Sequence, residues 1–240
     1  MNKKKFIFWI GGILLFILLL IAFNRYFVAK WALGFVERAD IHWLGFTERK
    51  YVALTFDDGP DPRFTPKILA ILKRYRVPAA FFVVGSNVDK YPDILSRTIE
   101  AGHEIGNHTL THPHLCKLGR AKIMRQIAAT DERIYRAVGI HAPLFRPPYQ
   151  ELNEAIIASA RDLHYRIVLS TITLEHGNKK KPLREVRRVL KMVFPGAIIL
   201  AHDGRLDRTY TVVALPKLIE GLKAKGYRIV PLGKLLGTQF

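Results

Sequence analysis

Two adjacent carboxylates, two histidines four residues apart and a late histidine-aspartate pair are the groups in this sequence most able to do chemistry. Asp57 and Asp58 are followed by Gly59 and Pro60, a sharp turn that lets both carboxylates face one site. A plain Asp-Gly turn is the competing reading. His108 and His112 bound the run HTLTH, and on one helical turn such a pair can meet a single ion. Two imidazoles plus one carboxylate suit zinc, cobalt, nickel or iron, with positions left open for water. His114 is the alternative to His112, at a poorer angle on a helix. Arg146-Pro147-Pro148-Tyr149 is a segment stiffened by two prolines. Its fixed backbone could offer the Tyr149 N–H to an oxyanion, and Arg146 could orient a carboxylate by bidentate hydrogen bonds. His202, followed by Asp203, is placed for proton transfer.

These groups need a scaffold that brings distant segments together, and each directly follows a short segment that reads as a strand. Residues 51–56, 103–107, 144–145 and 197–201 read as the strands that precede Asp57, His108, Arg146 and His202. Residues 79–84, 165–169 and 227–230 read as further strands. Helical spacing is found over 65–75, 93–101, 120–138, 153–162 (with Asn153 as cap), 183–193 and 213–225. Near-continuous apolar strands alternating with amphipathic helices predict a parallel sheet covered by helices. Periodicity alone leaves a barrel and an open doubly wound sheet both available. In either, function gathers after the C-terminal ends of strands, where all four clusters fall.

The N-terminus is built differently. Residues 1–5, with Lys3, Lys4 and Lys5, read as a cytoplasmic tail. Residues 6–23 carry no charge over 18 positions. At about 1.5 Å per helical residue they span roughly 27 Å, enough for a transmembrane anchor. The run is too long for a signal-peptide core and lacks a small-x-small cleavage site. The lysines place the remaining chain outside the cytoplasm, at the cell membrane. Residues 24–49 read as a stalk and 50–240 as one α/β domain, large enough to fold without disulfides. Cys116 is the sole cysteine and reads as buried apolar filler, with a free thiol the alternative. The net charge of +18 favours anionic partners. The location, and the lack of any helix-turn-helix, zinc-finger or aromatic RNA-binding signature, argue against nucleic acid. Anionic wall polymers are the more natural partner, and a monomer is expected.

TFDDGP (55–60), HTLTH (108–112), RPPY (146–149) and LAHD (200–203), in this order, resemble the polysaccharide deacetylases of carbohydrate esterase family four, the NodB-homology domain. The resemblance covers about residues 50–235. It implies a distorted (β/α) barrel and metal-dependent deacetylation, with zinc the expected ion. Carried over by motif, Asp57 resembles the catalytic base, and Asp58, His108 and His112 the metal ligands. Arg146 resembles the residue that orients the base, and Tyr149 the backbone oxyanion donor beside Pro148 in the substrate cleft. His202 resembles the general acid, and Leu200 the wall of the acetyl-methyl pocket. The substrate class implied is an N-acetylhexosamine polymer, with peptidoglycan favoured by the membrane tether.

The match departs at one motif. The family's Asp-Trp pair on the loop after the next strand corresponds to residues 170–177, STITLEHG, which contain neither residue. Glu175 is the candidate replacement for the aspartate, and His176 could line the site. Gln150 stands where Gly usually follows RPPY, and its side chain could narrow the cleft. These departures leave two other readings open: an esterase acting on O-acetyl groups, and a catalytically weak cationic wall-binding protein.

Overall fold

The computed structural model describes residues 41–175 and 181–237. The apolar segment 6–23, residues 24–40 of the expected stalk, and His176 and Gly177 lie outside the described residues. Among the described residues, no helix is long and apolar enough to cross a membrane.

Strands β1 (Ile41–His42), β2 (Tyr51–Asp57), β3 (Ala80–Val83), β4 (Glu104–Asn107), β5 (Leu144–Phe145), β6 (Arg166–Val168), β7 (Ile172–Thr173) and β8 (Ile198–His202) form one sheet. Its order is β1-β6-β5-β4-β3-β2-β8-β7, and β9 (Arg228–Ile229) pairs beside β2. Each of these strand pairings is parallel. The sheet curls: Leu44, just past β1 at one edge, makes an antiparallel bridge to Ala197, just before β8. The adjacent Gly45 N–H donates to Gly196 O at 2.8 Å. A side chain at Gly45 would collide with Leu235, which is why the chain passes here as glycine. The order of apolar runs predicts the parallel sheet, and its curl fits the distorted (β/α) barrel that the resemblance implies.

Helices α1 (Thr65–Tyr75), α2 (Gly85–Lys90), α3 (Pro92–Glu100), α4 (Arg120–Val138), α5 (Glu154–Asp162), α6 (Pro182–Met192), α7 (Thr209–Ala224) and α8 (Leu232–Leu235) accompany the strands. Asn153 caps α5, its side chain accepting from the Ile156 N–H at 2.9 Å. The α4 helix ends on Gly139 at φ 72°, a left-handed position that glycine fills without strain.

Period-two alternation along the strands sorts their side chains between two apolar layers. Val52, Leu54 and Phe56 of β2 pack with Phe81 and Ile199 against α1 and α7. Ala53 joins Ala80, Phe82, Ile198 and Val230 on the inner face, where Leu232 and Leu235 of α8 also pack. Thr55 and Asp57 therefore share the inner face with Ala53, and Leu200 and His202 share it with Ile198. The same alternation that builds the core thus brings the polar ends of β2 and β8 inward together.

Several expectations need correction. Residues 41–49, assigned to the stalk, belong to the folded unit, where β1 pairs with β6. A two-residue strand is too short to show periodicity. The α7 helix starts at Thr209 rather than 213, because its first turn carries polar residues that face inward. The short elements β7, α2 and α8 were absent from the sequence reading for the same reason of length. Cys116 is exposed rather than buried.

Candidate active site

Asp57 ends β2 and Asp58 turns away from the strand with φ 80°. That reversal places both carboxylates on the site although they are consecutive. The Asn87 side-chain amide donates to the Asp58 carbonyl at 2.9 Å and fixes the turn. Gly204 must be glycine here, since a Cβ would lie 2.2 Å from Asp58 O.

The two histidines do not sit on a helical turn. Residues 108–114 form a loop, with Thr109 at φ 68° and His112 at φ 58°. Side chains hold this unusual backbone. Asn107 Oδ1 accepts from the Thr109 N–H at 2.9 Å, and Thr109 Oγ1 accepts from the His112 N–H at 3.1 Å. His108 Nε2 lies 3.8 Å and His112 Nε2 3.2 Å from Asp58 Oδ1. Ligand atoms of the three residues all fall within 4.8 Å of one another, and all three residues are buried. His114 lies apart from this group, its ring stacked on Tyr149 at 3.9 Å and Nδ1 2.7 Å from Glu151 Oε1.

The donor set fits a divalent ion. Asp58 Oδ1 is buried without a hydrogen-bond partner, a costly state that a cation would relieve. His108 Nδ1 lies 2.6 Å from Arg146 O. A carbonyl only accepts, so the hydrogen is on Nδ1 and the Nε2 lone pair faces the acid pair. Burial raises the Asp58 pKa, but His112, His108 and His202 outweigh it and hold the carboxyl well below its ordinary range. Burial draws the His108 pKa down, against the pull of Asp57 and Asp58.

Arg146 is fully buried, with its guanidinium carbon 4.1 Å from the Phe82 ring centroid. Nη1 donates to Asp57 Oδ1 at 2.7 Å and to Thr55 Oγ1 at 2.9 Å, and Nε donates to Val168 O at 3.0 Å. The expected bidentate grip on the carboxylate is therefore not made; the guanidinium divides its hydrogens among a carboxylate, a hydroxyl and carbonyls. Asp57 Oδ2 is left 3.8 Å from His108 Nε2.

Strand pairing sets Asp57 opposite His202 in adjacent β2 and β8. His202 Nδ1 lies 3.1 Å from Glu175 Oε2. Burial lowers the His202 pKa, but Glu175 and, at longer range, Asp57 raise it above its ordinary value. The Glu175 side chain is buried, which raises its pKa; His202, Arg208 and Thr211 reverse this and lower it. Leu200 is buried one inward position before His202. Tyr149 is 52% exposed at the rim, with φ 58°, and Pro148 beside it is buried. Gln150 does not reach across the cleft; its Oε1 accepts from Ser170 N at 2.6 Å and Ser170 Oγ at 2.9 Å.

The sequence reading missed Arg208. Its buried guanidinium donates to Asp58 Oδ2 at 2.9 Å, Glu175 Oε2 at 2.6 Å and Gly204 O at 2.7 Å. Thr211, in the first turn of α7, donates to Glu175. Arg205 contacts His112 Nδ1. Asp203, fully buried, accepts from Thr65 Oγ1 at 2.6 Å, while its Oδ1 has no partner. Burial, reinforced by Asp58 and Asp57, pushes its pKa up to about 7 despite the Thr65 bond. An arginine within the polar run 203–209 carries no periodic signal, so only the fold reveals its place.

Paired carboxylates, two histidines and a carboxylate-backed imidazole at one end of a curled parallel sheet define a hydrolase-like site with room for a divalent ion. A model of the family described as polysaccharide deacetylase matches residues 45–168, and the chain belongs to that family. A peptidoglycan-N-acetylglucosamine deacetylase of Bacillus cereus is 39% identical over 208 residues, which cover 85% of this chain and 75% of the relative. A peptidoglycan-N-acetylmuramic acid deacetylase of Bacillus subtilis is 32% identical, covering 84% of this chain and 77% of its own. The crystal structure of a peptidoglycan N-acetylglucosamine deacetylase bound to an N-hydroxybenzamide aligns with a TM-score of 0.82 at 38% identity. That alignment covers 86% of this chain and 97% of the other.

Proposed function

We propose that this protein hydrolyses N-acetyl groups on the amino sugars of a cell-envelope polysaccharide, with peptidoglycan the favoured substrate and zinc the favoured ion. The observation that carries this reading is the cluster of Asp58, His108 and His112 beside Asp57 and His202, each of the latter two held by a charged partner. The relatives named above, deacetylases of two different peptidoglycan sugars, support the polymer and leave both sugars as candidates.

Asp58, His108 and His112 would hold the ion, which when bound polarises an amide carbonyl and makes water more acidic. Asp57 takes the water proton, with Arg146 fixing Oδ1 so that Oδ2 is the basic oxygen. The Tyr149 N–H donates to the developing oxyanion. His202, its pKa raised by Glu175, gives its proton to the departing amine. Leu200 packs against the acetyl methyl group. We further read the apolar segment 6–23 as a membrane anchor that holds the catalytic domain outside the cytoplasm, near the wall.

Acetate release from N-acetylglucosamine oligomers and from peptidoglycan, with zinc, cobalt or nickel added, tests the reading. Ion-dependent release that disappears in Asp58→Ala, His108→Ala protein is expected. Full activity in that double variant would overturn the metal assignment, and no release from either substrate would overturn the reaction.

A further inference from the structure

At the opposite end of the strands from Asp57 and His202 lie two adjoining hollows. One, of about 530 Å³, is lined by Lys73, Arg76 and Arg97 together with Glu100. The other, of about 430 Å³, is lined by Arg76, Lys223, Arg228 and Lys234 and contains no acidic residue. Arg76, Val77 and Pro78 belong to both, so the hollows form one groove. Arg76 closes α1 just before β3, Gly102 and His103 precede β4, and Arg228 opens β9 beside the start of β2. The groove therefore runs across the N-terminal strand ends. Six rises along β2 from Tyr51 separate it from Asp57 by about 20 Å.

All six cations are exposed, and none lies within ion-pair distance of a carboxylate among the described residues. Nearby acids are otherwise engaged. Glu104 accepts from the backbone N–H groups of Leu232 and Gly233. Glu220 pairs with Lys217 and Tyr75, and Glu100 accepts from Ser96. Like charges gathered in a concavity repel one another and raise the local concentration of anions. A planar bilayer does not enter a concave groove, whereas a flexible chain does. Val77 and Pro78, which line both hollows, offer apolar contacts that suit the carbon segments between successive anionic groups.

The geometry points to this groove as a binding site for a linear phosphodiester polymer of the cell envelope, held on the face away from the catalytic site. Its occupation leaves the glycan cleft open, so the polymer tethers the enzyme beside its substrate without competing for it.

The test is binding of a fluorescent polyglycerol phosphate fragment to the full chain over a series of salt concentrations, with anionic and neutral vesicles in parallel. Binding that weakens with salt is expected, with an affinity at least tenfold lower in Arg76→Glu, Arg228→Glu protein. Acetate release from a short N-acetylglucosamine oligomer by that variant should equal the parent's. Should the charge reversal impair folding, Arg76→Gln, Arg228→Gln protein gives the same comparison with a smaller loss. Unchanged polymer affinity in a folded variant would overturn the proposal, as would a loss confined to the anionic vesicles.

Discussion

Arg208 Nη2 donates to Asp58 Oδ2 at 2.9 Å, which leaves Oδ1 as the oxygen turned toward His108 and His112. Such support behind a ligand is commonly worth about 10–100-fold in ion affinity or activity. Arg208→Gln is therefore expected to weaken ion binding by about that factor, read by metal titration. It also leaves Asp58 and Glu175 buried without their shared cation, at a cost on the order of 3–5 kcal/mol in stability. A variant with parental affinity would show that the loop geometry alone aims Asp58.

Glu175→Gln tests the acid half of the site. Glu175 raises the pKa of His202 against the effect of burial. Removing that charge lowers the pKa, so the imidazolium is lost at a lower pH. The alkaline limb of the pH-rate profile should move to lower pH, with a reduced maximum. A profile that keeps its position would separate Glu175 from the proton donor.

Arg146→Lys keeps the charge but not the fork. A lysine cannot reach Thr55, Asp57 and Val168 O together. Turnover is expected to fall while ion content stays at the parental level, since Arg146 touches Asp57 and not Asp58 through its side chain. Equal turnover at equal ion content would remove Arg146 from the positioning of the base.

Asp203 gives a stability signature. Its folded pKa, about 7, lies above the ordinary carboxyl value of 3.8. The protonated form is thus favoured by folding, and this contribution is complete below about pH 4 and lost as pH rises through 7. Ion-free Asp203→Asn protein should show a shallower loss of thermal stability across that window. An identical slope in parent and variant would mean that Asp203 is ionised in the fold.

Most of the scaffold was legible because long apolar runs and amphipathic helices announce themselves: the predicted α4 spans Arg120–Val138 as observed. The site was legible where a strand end or the residue just past it supplies the group, as with Asp57, His108 and His202. It was less so where tertiary contacts impose the backbone. Nothing local to HTLTH foretells left-handed Thr109 and His112; Asn107, wedged between Ile127 O and the Tyr165 hydroxyl, dictates that loop. Arg208 and Thr211 were hidden for a related reason, since a buried polar face on the first turn of α7 looks like solvent-facing sequence.

The pairing of Asp57 with His202 in one rung of the β2–β8 ladder carries a consequence for divergence. The two groups proposed as base and acid inherit their spacing from main-chain hydrogen bonds, which are indifferent to side-chain identity. Loops around the cleft are thus at liberty to lengthen, shorten or change character, and so to redirect the enzyme among glycans. A one-residue slip between these two strands would instead turn one of the two groups toward the helices and break the pair. Transplanting the chemistry into another curled sheet would accordingly begin with copying a register, and only afterwards with copying residues.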